Sequence, residues 1–125
     1  MTIKRIRSGP RMSQVVMHGG IAYLAGQVVP AGATERTVGE QTRFILEQID
    51  RLLAEAGTNK EHLLSASIWL SDIEAFAEMN EVWDAWVASG CAPARATVEA
   101  RLARPECLVE IAVIAAIPYR GSPIA

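Results

Sequence analysis

Two charged residues stand where charge is costly. Arg95 lies among small residues in Cys91-Ala92-Pro93-Ala94-Arg95-Ala96-Thr97-Val98-Glu99-Ala100, and Glu110 is the lone carboxylate of Leu108-Val109-Glu110-Ile111-Ala112-Val113-Ile114-Ala115-Ala116. Buried alone, either charge is unstable, so each asks for a partner or a charged ligand. The planar fork of arginine donors suits a carboxylate, and Ala94 and Ala96 leave room for one to approach. Strand alternation puts Glu110 on one face with Leu108, Ala112 and Ile114, a face expected to be buried. A carboxylate there is paired, hydrogen-bonded or neutral, which makes it a candidate acid or base. Structural pairs account for the same facts: Arg95 with Glu99 or Glu110, or Glu110 with Arg101. Asn80 falls between Phe76 and Trp83 on an apolar stripe, where a buried amide either orients a ligand or caps a strand carbonyl.

Other chemistries lack their parts. His18 borders a Gly-Gly turn and His62 sits in a surface turn, with no serine or carboxylate at the spacing of a triad. Cys91 and Cys107 form no CxxC and no zinc-ligand spacing with either histidine, and both are expected to be reduced thiols. Gly19-Gly20 is a turn rather than a phosphate loop. A net charge of -2 argues against a nucleic-acid binder, and Lys4, Arg5, Arg7 and Arg11 are expected to guard an exposed edge strand. No apolar run approaches the roughly 18 residues of a membrane span, so a cytoplasmic protein without a membrane partner is expected.

The elements that must position these residues are legible in outline. At 125 residues, half of them hydrophobic, the chain is expected to be a single domain over 1–125. Gly19-Gly20 joins two apolar runs, 13–18 and 21–28, as a hairpin. A helix is expected over 37–56, with Val38, Ile45, Ile49, Leu52 and Ala56 on one face and Gly57 closing it. Thr58-Asn59-Lys60-Glu61 and Ser71-Asp72-Ile73-Glu74 read as capping boxes on either side of a strand over 64–70. The second opens a helix with Phe76, Met79, Trp83 and Trp86 on one stripe; Trp83 and Trp86 are expected in the core or at a subunit contact. Strands over 94–101 and 108–117 follow, with an irregular tail from 118. Antiparallel strands with two helices on one face make an α+β domain. Ile68, Val98, Val109, Ile111, Val113 and Ile114 offer more apolar sheet than two helices cover, which predicts an oligomer.

Ala25-Gly26-Gln27-Val28, Gln41-Thr42-Arg43, Leu52-Leu53-Ala54-Glu55-Ala56-Gly57, Met79-Asn80-Glu81-Val82-Trp83, Pro93-Ala94-Arg95-Ala96-Thr97-Val98-Glu99 and Val109-Glu110-Ile111 resemble, in order and spacing, the RidA (YjgF) family. The resemblance covers most of the chain. It implies a chorismate-mutase-like α+β fold, mainly antiparallel, assembled as a homotrimer with clefts between subunits. It also implies hydrolysis of reactive 2-imino (enamine) acids to 2-keto acids and ammonia, with no cofactor and no metal. Under it Arg95 grips the substrate carboxylate and Glu110 helps to position water or shuttle a proton. Asn80, Thr97, Gly26 and Met12 then line the substrate. The pattern departs from the family at three places. Met12, after one extra residue in Gly9-Pro10-Arg11-Met12-Ser13-Gln14, replaces a cleft-lining tyrosine, Ala25 replaces a serine, and Thr97 replaces a frequent cysteine. These imply a divergent subgroup with a different and bulkier substrate. Two other functions remain open on the sequence: a non-catalytic carboxylate-binding or regulatory trimer, and a weak endoribonuclease or translation inhibitor.

Overall fold

A computed structural model describes residues 2–118. Its elements are β1 (Lys4–Ser8), β2 (Ser13–His18), β3 (Ile21–Leu24), α1 (Val38–Glu55), β4 (Leu63–Leu70), α2 (Phe76–Trp86), β5 (Ala94–Glu99) and β6 (Val109–Ala116). One six-stranded sheet runs in the order β1-β2-β3-β6-β4-β5. Its pairs are antiparallel except β4 with β5, which are parallel because α2 carries the chain back between them. The α+β class and the element order are those expected from sequence.

The local reasons are visible. Gly19 (φ 60) and Gly20 (φ 78) both take the left-handed region that a two-residue hairpin turn requires. Thr37 and Glu40 form a reciprocal capping box that starts α1. Gly57, at φ 86, follows its last turn. The two capping boxes expected from sequence resolve differently. Asn59, not Thr58, caps the turn Lys60–His62, while the Thr58 hydroxyl donates to the Ala116 carbonyl at 2.6 Å. Asp72, not Ser71, caps the turn Ile73–Ala75 that leads into α2. The shorter Asx reach satisfies the amide two residues on and leaves the preceding hydroxyl residue free for other bonds. The tail expected to be irregular lies, beyond Pro118, outside the described residues.

One face of the sheet is the core. Val15, Ala22, Leu24, Ala66, Ile68, Leu70, Val109, Ile111, Val113 and Ala115 pack there against Ile45, Leu46, Ile49 and Leu53 of α1 and Met79 and Trp83 of α2. Each large aliphatic side chain so buried contributes about 1.5–3 kcal/mol of transfer free energy. The opposite face carries the alternate residues, in cross-strand rows fixed by register: Val16–Tyr23–Ile114–Ser65–Ala94, then Ala112–Ser67–Ala96, then Glu110–Trp69–Val98. No helix among the described residues covers it. Four of the apolar residues read as surplus, Ile68, Val109, Ile111 and Val113, are in fact the helix-covered core; Val98 and Ile114 belong to the open face.

Candidate functional site

The edge strand β5 turns Arg95, Thr97 and Glu99 toward the helix layer. The Arg95 guanidinium carbon sits 5.3 Å from the ring centroid of Trp83 and 5.8 Å from that of Phe76, within the range of a cation–π contact. Those rings come from one stripe of α2, and Asn80 lies between them, four residues after Phe76 and three before Trp83. Among the described residues Arg95 has no acidic partner: the ion pairs there are Arg7–Glu55 and Arg104–Glu106. Glu99 accepts instead from the Ile73 amide at 3.0 Å, so the expected Arg95–Glu99 pair does not form. Asn80 Oδ1 and Thr97 Oγ1 are both buried and have no hydrogen-bond partner among the described residues. The cap of a strand carbonyl expected of Asn80 is therefore not made through that oxygen. A guanidinium without an acid, together with a buried hydroxyl that can donate and a buried amide oxygen that can only accept, is a set of groups suited to a small molecule carrying both an anionic group and an N–H or O–H donor.

Glu110 is elsewhere. It occupies the open face of β6, opposite Trp69 of β4, whereas Val109, Ile111 and Val113 point into the core. Its face, expected to be buried, is the one that the helices leave uncovered, and Glu110 is part-buried there. Both alternating sets of β6 are apolar, so composition does not tell which one meets the helices. The sheet thus stands between Glu110 and Arg95, and neither the Arg95–Glu110 nor the Arg101–Glu110 pair is formed. Burial pushes the Glu110 carboxyl above the usual glutamate range.

Gly26 reaches this carboxylate through a bulge. Pairing runs from Ile21–Ala116 to Tyr23–Ile114, then resumes at Gln27–Ile111, with one extra residue on the first strand. The bulge lays Gly26 against Glu110: a Cβ on Gly26 would lie 2.9 Å from Glu110 Cδ and closer still to Oε2. Beyond the bulge, Gln27 donates to Gln14 Oε1 at 2.8 Å and accepts from Gln48 at 3.3 Å, which ties β2, the bulge and α1 together. Met12, about half exposed, shares a groove of about 470 Å³ with Gly26, Gln14 and Gln48. The six sequence-selected residues therefore fall into two groups in one chain: Arg95, Thr97 and Asn80 on the helix side, and Glu110, Gly26 and Met12 around the bulge.

Sequence reasoning missed three positions that hold these groups. The sequence places Phe76 and Trp83 with Asn80 on one apolar stripe, with Trp83 expected in the core or at a subunit contact, but neither is read there as a partner of Arg95. Gln41 is buried on α1, accepts from the Leu108 amide at 2.8 Å and donates to the Glu106 carbonyl at 2.9 Å, so it pins the chain just before β6.

This sequence and its mainly antiparallel α+β fold have known counterparts. The family described as Endoribonuclease L-PSP matches residues 2–117. A RutC family protein of Haemophilus influenzae is 48% identical over 115 residues, covering 92% of this chain and 98% of that protein. The RutC family protein YoaB of Escherichia coli is 45% identical over 117 residues, covering 94% and 100%. A crystal structure of a YjgF family member from Neisseria meningitidis superposes with a TM-score of 0.90 at 50% identity, covering 95% of this chain and 98% of that one. The chain belongs to the YjgF (RidA) family.

Proposed function

We propose that this protein is a cofactor-independent imine/enamine deaminase: it hydrolyses 2-imino acids to 2-keto acids and ammonia. The observation that carries the reading is the Arg95 guanidinium, free of any acid among the described residues and flanked by the unpartnered Asn80 Oδ1 and Thr97 Oγ1. Arg95 binds the substrate carboxylate, the Thr97 hydroxyl donates to it, and Asn80 Oδ1 accepts from the N–H of the protonated imine. A protonated imine is already electrophilic, so water adds to its carbon without a cofactor. A proton then moves from the added oxygen to nitrogen; as the C–N bond breaks and ammonia leaves, the remaining hydroxyl proton is released to water and the carbonyl forms. Glu110, with its raised proton affinity, carries the first of these protons.

Arg95 and Glu110 face opposite sides of one sheet, so they can meet only across copies. We place the reaction in a cytoplasmic homotrimer of single RidA-like domains, with Arg95, Thr97 and Asn80 of one protomer opposite Glu110, Gly26 and Met12 of the next. The uncovered sheet face, with Ala112, Ser67 and Ala96 at its centre, supports that assembly. The apolar Met12 favours larger imino acids. Endoribonuclease chemistry has less support: His18 and His62, the chain's two histidines, lie at the end of β2 and in the turn Lys60–His62, and neither is carried by β5 or α2.

The test is keto-acid release from imino acids generated in situ by an amino-acid oxidase, with small and bulky amino acids and Arg95→Ala as control. Acceleration by the wild type and its loss, about ten- to a hundredfold, in Arg95→Ala is expected. No acceleration on any substrate by folded wild type would turn the reading to a carboxylate-binding trimer without turnover.

A further inference from the structure

Arginine side chains that must present a fixed fork are usually held by an acid, which satisfies some donors and offsets the charge. Arg95 is held in another way. Trp83, buried, and Phe76, 42% exposed, each offer a ring to its guanidinium, at 5.3 and 5.8 Å. An aromatic ring attracts the cation without carrying a formal charge and without consuming an N–H donor. The guanidinium therefore keeps its full charge and its hydrogen-bonding edge. The Trp83 ring is itself braced: the Trp86 ring lies 5.3 Å away at a tilt of 52°. Trp86 donates to Asp50 of α1 at 3.1 Å. Its other support is Lys60, whose Nζ stands 5.2 Å from the ring centroid and donates to the Trp86 carbonyl at 2.6 Å.

We infer that Phe76 and Trp83 are positioning residues that fix the plane of the Arg95 guanidinium, with Trp86 bracing Trp83, so that its donors meet a carboxylate already oriented and unneutralised. This rests on the reading of Arg95 as the carboxylate-binding group. Phe76 is the position to test, because its exposure lets the ring be removed without opening the core.

Pyruvate, the simplest 2-keto acid, serves as probe, with binding measured by calorimetry on the wild type, Phe76→Leu, Phe76→Tyr and Arg95→Ala. Phe76→Leu is expected to weaken binding about two- to fivefold. Phe76→Tyr, which keeps the ring, is expected to match the wild type, and thermal stability to be retained in both. Wild-type affinity in Phe76→Leu, with binding lost in Arg95→Ala, would overturn the clamp and leave the arginine reading standing. Wild-type affinity in Arg95→Ala would remove both. A ligand-free measurement decides the matter if pyruvate binds too weakly to titrate: the Arg95 Nε–H resonance, assigned by its loss in Arg95→Lys. Ring shielding is expected to move it upfield in the wild type and Phe76→Tyr and less so in Phe76→Leu. A wild-type resonance at the position of the exposed arginines would overturn the clamp.

Discussion

The difference between the two charged residues is one of surroundings. Arg95 is poised against rings and unpaired oxygens, whereas Glu110 is a carboxyl whose charge is disfavoured by desolvation alone. A folded-state proton affinity above the unfolded one means that the native protein holds this proton to higher pH than the unfolded chain. The resulting stability is fully present below the unfolded value and is lost as pH rises through the raised folded one. Wild-type stability is therefore expected to fall as pH climbs upward from the ordinary glutamate range, and Glu110→Gln to remove that component of the slope. Urea melts of both proteins between pH 4 and neutrality, the span around the reference value of ~4.3, check this. Parallel pH profiles would mean that the carboxyl is not perturbed. The same substitution is expected to slow imine hydrolysis more than it weakens pyruvate binding, since it removes a proton carrier and not the anchor.

Among the elements, the bulge after β3 has the most direct consequence for the site. Without the extra residue, the chain past Leu24 would keep step with β6. With it, a residue lacking a side chain sits against the Glu110 carboxylate. Gly26→Ala would put a methyl group where that carboxylate now lies. The obstacle is the far end of a flexible side chain rather than backbone, so the carboxylate gives way and the fold does not. Gly26→Ala is expected to melt within a few degrees of the wild type while losing about tenfold in imine hydrolysis, the loss typical of a misplaced catalytic group. Equal activity would show that the close approach has no part in the chemistry. The β4–α2–β5 unit acts similarly on the other side: the parallel return of β5 sets Arg95 under the stripe of α2 that carries Phe76, Asn80 and Trp83.

On the scale of the molecule, the sheet is two-sided and only one side is covered. The open face presents Trp69, Val98, Tyr23 and Ile114 around a centre of small residues, with Val98 half exposed and Tyr23 45% exposed. Among the described residues no helix is long and apolar enough to cross a membrane. Ala112→Glu places a charge at the middle of this face. Sedimentation of the wild type as a trimer, and of Ala112→Glu as a monomer that retains its helical circular dichroism, is the expected result. Hydrolysis should be lost with assembly, because the two halves of the site then never meet. A monomeric wild type with full activity would contradict the shared site.

The hairpin at Gly19-Gly20, the helix bounded by Thr37 and Gly57, the charged edge strand and the candidacy of Arg95 were all legible in the sequence. Each rests on a local cause: turn dihedrals, capping bonds, an edge without a neighbour, a charge among small residues. What the tertiary structure decided was sidedness. Alternation divides β6 into two sets of side chains, but Leu108, Ala112 and Ile114 are as apolar as Val109, Ile111 and Val113. Only the packing of α1 and α2 selects the set that is covered. The bulge at Gly26 and the stacking of Arg95 on Trp83 are likewise products of register between segments far apart in the chain, which no local pattern encodes.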